Sequence, residues 1–141
     1  MTFAGINYLA VIIAAAAGWA VGMPWYMALA RPWMAANGLS KEAIAQSHGR
    51  GRAYVPLVLA FVACLVMAWV LAGVIGHLGP GQVTLRNGII SGLFCWLGFV
   101  VTTMAVNYTF AMRPRLLLAI DGGYWLVVLV LMGAIVGAMG V

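Results

Sequence analysis

Four long runs of apolar residues, separated by short polar segments, dominate this chain. They cover residues 2–30, 53–76, 87–112 and 122–141, and none contains a formally charged side chain. A helix that crosses the hydrocarbon core of a bilayer needs about 20 apolar residues at 1.5 Å each. Lipid offers the backbone no hydrogen-bond partner, and these runs lack the alternation of barrel strands, so each run predicts a helix. The sequence therefore predicts an all-α integral membrane protein, a bundle of four transmembrane helices.

The composition supports a chain that lies almost entirely in the bilayer. Hydrophobic residues make up 66% of it and charged residues only 6%, whereas soluble domains carry about 25% charged residues. We predict a single domain over residues 1–141, with spans at about 4–30, 53–76, 87–110 and 116–140. The first run has no basic residue before it and is too long for a signal peptide, so we interpret it as a transmembrane helix.

The connections between the runs predict an orientation in the membrane. Residues 31–52 form the longest connection, in which Ser40 is a good N-cap for a short helix over residues 41–47. The basic residues of the first and third connections are Arg31, Lys41, Arg50, Arg52, Arg113 and Arg115. Only Arg86 lies on the opposite side, so the positive-inside rule places loop 31–52 in the cytoplasm and both termini outside. The corresponding location is the bacterial inner membrane.

The charge and the motifs also limit the possible partners. The net charge is +5, but the basic residues lie beside apolar segments, where they suit anionic phospholipid head groups rather than nucleic acid. Residues 47–52 could contact lipid phosphate, although positive-inside topology explains them equally well. The sequence has no phosphate-binding glycine loop with a following Lys, no HExxH and no CxxC. We therefore expect no metal and no cofactor, and nothing predicts an enzymatic reaction.

Small residues recur at helical spacing and predict close helix packing. The GxxxG pairs are Gly18 with Gly22, Gly88 with Gly92, and Gly133 with Gly137. Such faces let helices approach closely in a membrane, where no hydrophobic driving force joins them. Packing inside one bundle and packing between two copies of the chain both remain open.

Asp121 is the most informative single residue, because the only other acid, Glu42, lies in a loop. If the last helix begins at Gly122, Asp121 is its N-cap. If the helix begins at Pro114, the carboxylate lies about 10 Å along it and needs a partner, and an intramembrane charge suggests function. The cations available for an ion pair are Arg31, Arg113 and Arg115.

A proline in the first run indicates where a ligand site could form. Pro24 predicts a kink that opens space between the first, third and fourth helices. The residues that we expect around a lipid or small-molecule site are Trp25, Tyr26, Arg31, Asn107, Tyr108, Arg113, Arg115, Asp121 and Tyr124. The alternative is a polar cluster that only fixes the helix ends.

A series of short motifs gives the chain a family resemblance. In order they are INYLAV (6–11), GMPWY (22–26), WM (33–34), NGLSKE (37–42), GFV (98–100), NY (107–108), IDGGY (120–124) and LMGAI (131–135). Taken together they resemble DUF1761, a family of small bacterial membrane proteins of unknown function, over nearly the whole chain. The resemblance implies the same four-helix architecture and implies no activity.

Three functional hypotheses follow from these observations. The first is a structural or accessory protein that self-associates or joins a larger membrane complex. The second is a small oligomeric transporter or channel, for which Thr102, Thr103, Asn107 and Asp121 are the clustered polar residues. The third is a protein that binds or modifies a lipid or small molecule near Asp121 at the cytoplasmic interface.

Overall fold

The computed structural model of the chain describes residues 3–48 and 54–141. Helices account for nearly all of this part. They are α1 (Tyr8–Ala28), α2 (Ala30–Asn37), α3 (Lys41–His48), α4 (Val55–Gly76), α5 (Leu85–Cys95), α6 (Thr102–Phe110) and α7 (Arg115–Met139). A π-helical segment, Trp96–Val101, joins α5 to α6, so that Leu85–Phe110 is one long helix. Among the described residues, α1, α4, α5–α6 and α7 are long and apolar enough to cross a membrane, which confirms the predicted all-helical architecture.

Side-chain caps explain where several helices begin. The Asn7 side chain accepts a hydrogen bond from the amide of Ala10, so α1 begins at Tyr8, later than the expected start near residue 4. The Ser40 hydroxyl accepts a hydrogen bond from the amide of Ala43 at 3.1 Å. Helix α3 begins at Lys41, directly after Ser40, as the sequence predicted. Such oxygens satisfy amide donors that have no partner inside the helix.

The described part of the first connection, residues 31–48, is mostly helical. It contains most of α2, which follows α1 after the single residue Leu29, and all of α3. Gly38 ends α2 in the left-handed conformation with φ 66°, where glycine has no Cβ penalty. Arg50 and Arg52, the arginines of the phosphate-binding hypothesis, lie outside the described residues.

The fourth long helix, α7, is the centre of the bundle. It packs against α1, α4 and the α5–α6 helix, and its inner face supplies much of the core. Alanines bring α1 and α4 together at one end, where Ala14, Ala15, Ala68 and Ala72 are all fully buried. The α5–α6 helix is the most exposed of the four and leans mainly on α7.

The glycines of α5 and α7 form a backbone-to-backbone interface. A Cβ on Gly88 would overlap the carbonyl oxygen of Gly133, and a Cβ on Gly92 would overlap that of Leu129. A Cβ on Gly137 would likewise overlap the carbonyl oxygen of Thr84. On α1, Gly18 faces Met132 and Gly22 faces Tyr124. All six glycines of the three GxxxG pairs therefore meet neighbours within one chain.

Candidate functional site: the Asp121 cluster

Asp121 lies inside a helix rather than at its end. Helix α7 begins at Arg115, and Pro114 occupies the N-cap position. Asp121 is therefore six residues into the helix, about 9 Å along its axis. The N-cap interpretation was wrong, because the backbone amides that a cap would serve belong to the turn that starts at Arg115. The side chain is free to reach the neighbouring helices instead.

Three neutral donors from three helices surround the Asp121 carboxylate. The Tyr26 hydroxyl of α1 donates to Oδ1 at 2.8 Å, and the Trp33 indole N–H of α2 donates to the same oxygen at 3.2 Å. The Tyr108 hydroxyl of α6 donates to Oδ2 at 2.9 Å. An ionised carboxylate can accept about four hydrogen bonds. We call these four residues the Asp121 cluster; it ties α1, α2 and α6 to α7.

Two further indoles bind the backbone on either side of this carboxylate. Trp25 donates its N–H to the carbonyl of Ile120 at 3.1 Å, and Trp96 donates to the carbonyl of Gly122 at 2.8 Å. A carbonyl has two lone pairs, so it can accept an indole as well as its helical hydrogen bond. The glycine at position 123 makes room, because a Cβ there would lie 3.1 Å from Cζ2 of Trp25. This contact explains why the second glycine of the IDGGY motif, Gly123, is small.

The predicted arginine partners of the carboxylate lie elsewhere. Arg31, Arg113 and Arg115 are exposed, and Nη1 of Arg113 donates to Oδ1 of Asn37 at 3.3 Å. Within residues 3–48 and 54–141, no basic side chain approaches the Asp121 carboxylate within the 4.0 Å of an ion pair. The ion-pair interpretation is therefore wrong for the described part of the chain. The negative charge is held by neutral hydrogen-bond donors there.

The remaining predicted site residues divide between the interior and the surface. Tyr124 is buried and stacks at a tilt on Tyr26 and Trp125, with ring centroids 5.3 Å and 4.8 Å apart. Asn107 is exposed on α6 and does not join the cluster.

Sequence reasoning missed two of the donors. Trp33 and Trp96 were absent from the predicted site, although Trp33 lies in a motif of the family resemblance. The chemistry of the tryptophan side chain could have indicated both residues as donors, since a buried indole N–H usually finds a hydrogen-bond partner. Their partners could not be named from the sequence, because Asp121 is 88 residues from Trp33 and Gly122 is 26 residues from Trp96.

An apolar groove of about 950 Å³ lies beside the cluster, between α1 and the first half of α4. Small side chains on both helices, including Ala20, Ala60 and Ala63, leave this space open. Its remaining walls include Trp19, Met23, Pro24, Tyr26, Met27, Leu57, Leu59, Tyr124 and Trp125. A second hollow of about 320 Å³ borders the groove at Tyr26 and Ala30 and extends to Trp33, Met34 and Ile44.

This groove lies in a different place from the predicted site. We expected space between the first, third and fourth helices, around Asp121 itself. Near Asp121, the Trp25 ring lies against Gly123, and its N–H donates to the Ile120 carbonyl. The opening lies instead between the first and second long helices. Tyr26 is the link, since it lines the groove and its hydroxyl binds Asp121.

These features define a class of protein, a small bundle of four apolar helices with one hydrogen-bonded carboxylate near the end of the central helix. The sequence matches the family described as protein of unknown function (DUF1761) over residues 9–137, so the chain belongs to that family. No curated protein and no solved structure matches the chain.

Proposed function

We propose that this protein is an integral membrane protein that binds a membrane amphiphile in the groove between α1 and α4. The apolar body of the amphiphile lies along the groove, and its polar end lies beside the Asp121 cluster. One observation carries the proposal: Tyr26 is at once a wall of a groove of about 950 Å³ and a hydrogen-bond donor to Asp121. Apolar walls with a few converging polar groups, enclosing about 300 to 1,000 Å³, are typical of small-molecule sites.

The expected position in the bilayer supports this arrangement. If Arg113 and Arg115 lie among the cytoplasmic head groups of the inner membrane, Asp121 lies about 9 Å deeper than Arg115. A head-group layer is about 5 to 8 Å thick on each side of the hydrocarbon core. The carboxylate then lies just inside the hydrocarbon boundary. A ligand there would keep its polar end at this boundary and its apolar body in the core.

The other two hypotheses have less support from the described residues. The six GxxxG glycines contact neighbours of the same chain, so they give no reason to expect self-association or a place in a larger complex. For a transporter, Thr102, Thr103 and Asn107 are exposed, and the Thr102 hydroxyl donates to the Gly98 carbonyl of its own helix. They do not form a path with Asp121 in one copy of the chain.

The groove can be tested by filling it. Ala60→Phe places a ring where the groove lies, whereas Val66→Phe adds the same ring to an exposed position of α4 that does not line the groove. Protein extracted gently from its native membrane would be weighed by native mass spectrometry, and the retained amphiphile identified. We expect retention in the wild type and in Val66→Phe, and loss in Ala60→Phe. Equal retention in both variants, or none in the wild type, would contradict the proposal.

A further inference from the structure

We infer that the amphiphile carries a positive charge: the groove takes an amphipathic cation whose ammonium-type head lies against the aromatic rings next to Asp121. This inference rests on the proposed function, because it names the chemistry of the ligand for the same groove. Charge balance and the composition of the groove end support it independently.

The charge argument begins with the partners of Asp121. Its carboxylate accepts hydrogen bonds from Tyr26, Trp33 and Tyr108, none of which supplies a positive charge. No ion pair neutralises it within the described ranges, 3–48 and 54–141. A charge near hydrocarbon is poorly screened, so it attracts a cation and repels an anion over several ångströms. An amphiphile with a cationic head would supply a directly contacting counter-charge, which the residues in 3–48 and 54–141 do not.

The aromatic argument concerns the end of the groove nearest the carboxylate. Tyr26, Tyr124 and Trp125 line it together. Ring contacts connect them, and Trp33 continues the series with its centroid 6.0 Å from that of Tyr26. The faces of Trp and Tyr attract cations within about 6 Å of the ring centroid, and quaternary ammonium groups are bound in this way.

Tyr26 joins the two arguments. Its hydroxyl donates to Asp121 at 2.8 Å, and the residue also lines the groove. A phenol that donates to a carboxylate gains electron density in its ring, and this strengthens the attraction for a cation over the ring face. A head group on Tyr26 would therefore sense the Asp121 charge without direct contact.

The surface arginines provide the competing outcome. Arg31, Arg113 and Arg115 are exposed and would suit anionic head groups at the membrane surface. These arginines do not line the groove. An anionic amphiphile would thus bind at the surface arginines, and a cationic one in the groove.

Matched amphiphiles can separate these outcomes. The full-length protein in neutral maltoside micelles would be titrated with three probes that share a bromine-tagged dodecyl chain. Their heads are trimethylammonium, sulfate and maltoside. Bromine quenches the fluorescence of nearby tryptophans, so quenching in excess of that in Ala60→Phe reports groove binding by Trp19 and Trp125, which line the groove. Trp69 is exposed away from the groove, so its quenching is common to both proteins. We expect the ammonium probe to bind at least tenfold more tightly than the sulfate probe.

Variants assign that preference to the site. Asp121→Asn should reduce the ammonium-to-sulfate ratio about tenfold, a loss of about 1.4 kcal/mol in discrimination. Trp125→Leu, which leaves the carboxylate in place, should lower the same ratio and serves if Asp121→Asn does not fold. For all three probes, Ala60→Phe should abolish the quenching that comes from Trp19 and Trp125 in the groove and leave only that of exposed Trp69.

The outcomes distinguish the inference from the function on which it rests. Equal binding of the three probes, or preference for sulfate, overturns the inference while groove binding stands. An ammonium preference that persists in both Asp121→Asn and Trp125→Leu also overturns it. Equal quenching of the wild type and Ala60→Phe by every probe would instead reject the proposed groove itself.

Discussion

The same pair of helices, α7 and the α5–α6 helix, is held together in two different ways at its two ends. At one end, Gly88 and Gly92 press against the backbone of α7 around Gly133 and Leu129. At the other end, the contact is a side-chain hydrogen bond from Tyr108 to Asp121. The first end has no room for a side chain, and the second is built from large ones.

This difference shows how the bundle separates packing from chemistry. Glycines let two backbones approach until no side chain fits between them. Where the glycines give way to Trp96 and Tyr108, indole and phenol donors reach α7 and satisfy both its carboxylate and a carbonyl. The π-helical segment lies between the two ends, and such segments occur frequently at functional sites. We expect mutations at the glycine end to change stability, and those at the aromatic end to change ligand binding as well.

The largest effect should come from filling the glycine interface. Gly88→Leu would drive a side chain into the Gly133 carbonyl, and only separation of the helices could relieve the overlap. We expect a loss of about 3 kcal/mol or more, at the upper end of overpacking effects. Thermal unfolding in detergent would measure it. Gly73→Ala is the control, since a Cβ there meets nothing within 4 Å; an equal loss in both variants would reject backbone contact as the cause.

Removal of the carboxylate should have the second largest effect on stability. Asp121→Ala leaves the hydroxyls of Tyr26 and Tyr108 and the indole of Trp33 without their acceptor. Because unsatisfied donors are costly, we expect a loss of about 2 to 3 kcal/mol. Asp121→Asn should lose about half as much, since its carbonyl can still accept from two donors. Denaturant titration would compare the two, and identical losses would show that the cluster depends on charge rather than on hydrogen bonding.

The two oxygens of the carboxylate allow a finer test. Tyr108 is the one described donor to Oδ2, whereas Tyr26 and Trp33 share Oδ1. We therefore expect Tyr108→Phe to cost about 1 to 1.5 kcal/mol and Tyr26→Phe about half that amount. A double-mutant cycle of Tyr26→Phe with Trp33→Phe should reveal coupling between the donors that share an oxygen. Additive losses would mean that the two donors act independently.

The smallest effect should distinguish two adjacent glycines. A Cβ on Gly123 would lie 3.1 Å from the Trp25 ring, which is fixed by its bond to Ile120, whereas a Cβ on Gly122 would meet Val101 at an ordinary 3.8 Å. Gly123→Ala should therefore lose about 0.5 to 1 kcal/mol, within the range of mild overpacking. Gly122→Ala should be neutral or slightly stabilising, because alanine favours helix. The reverse order of melting temperatures would show that the Trp25 ring moves freely.

Part of the site was predictable from the sequence. Asp121 is the one acid beside a long apolar run, so the sequence indicated it as a site residue. We also expected Tyr26, Tyr108 and Trp25 near it. The sequence could not decide between an N-cap, an ion pair and a hydrogen-bonded carboxylate, because that choice depends on which helix faces the side chain. The sequence also did not predict the groove between α1 and α4, since hydropathy does not tell which helix faces leave space between them.

The sequence by itself determined the four apolar helices and the cap at Ser40, because the length of an apolar run and a polar residue before a helix act locally. Only the tertiary structure decided that the glycines of α5 meet α7, that Trp33 and Tyr108 share the carboxylate, and that a groove opens between α1 and α4. The physical reason is that the apolar faces of the helices have similar hydropathy. Which faces meet depends on side-chain shapes and donors that lie far apart in the chain.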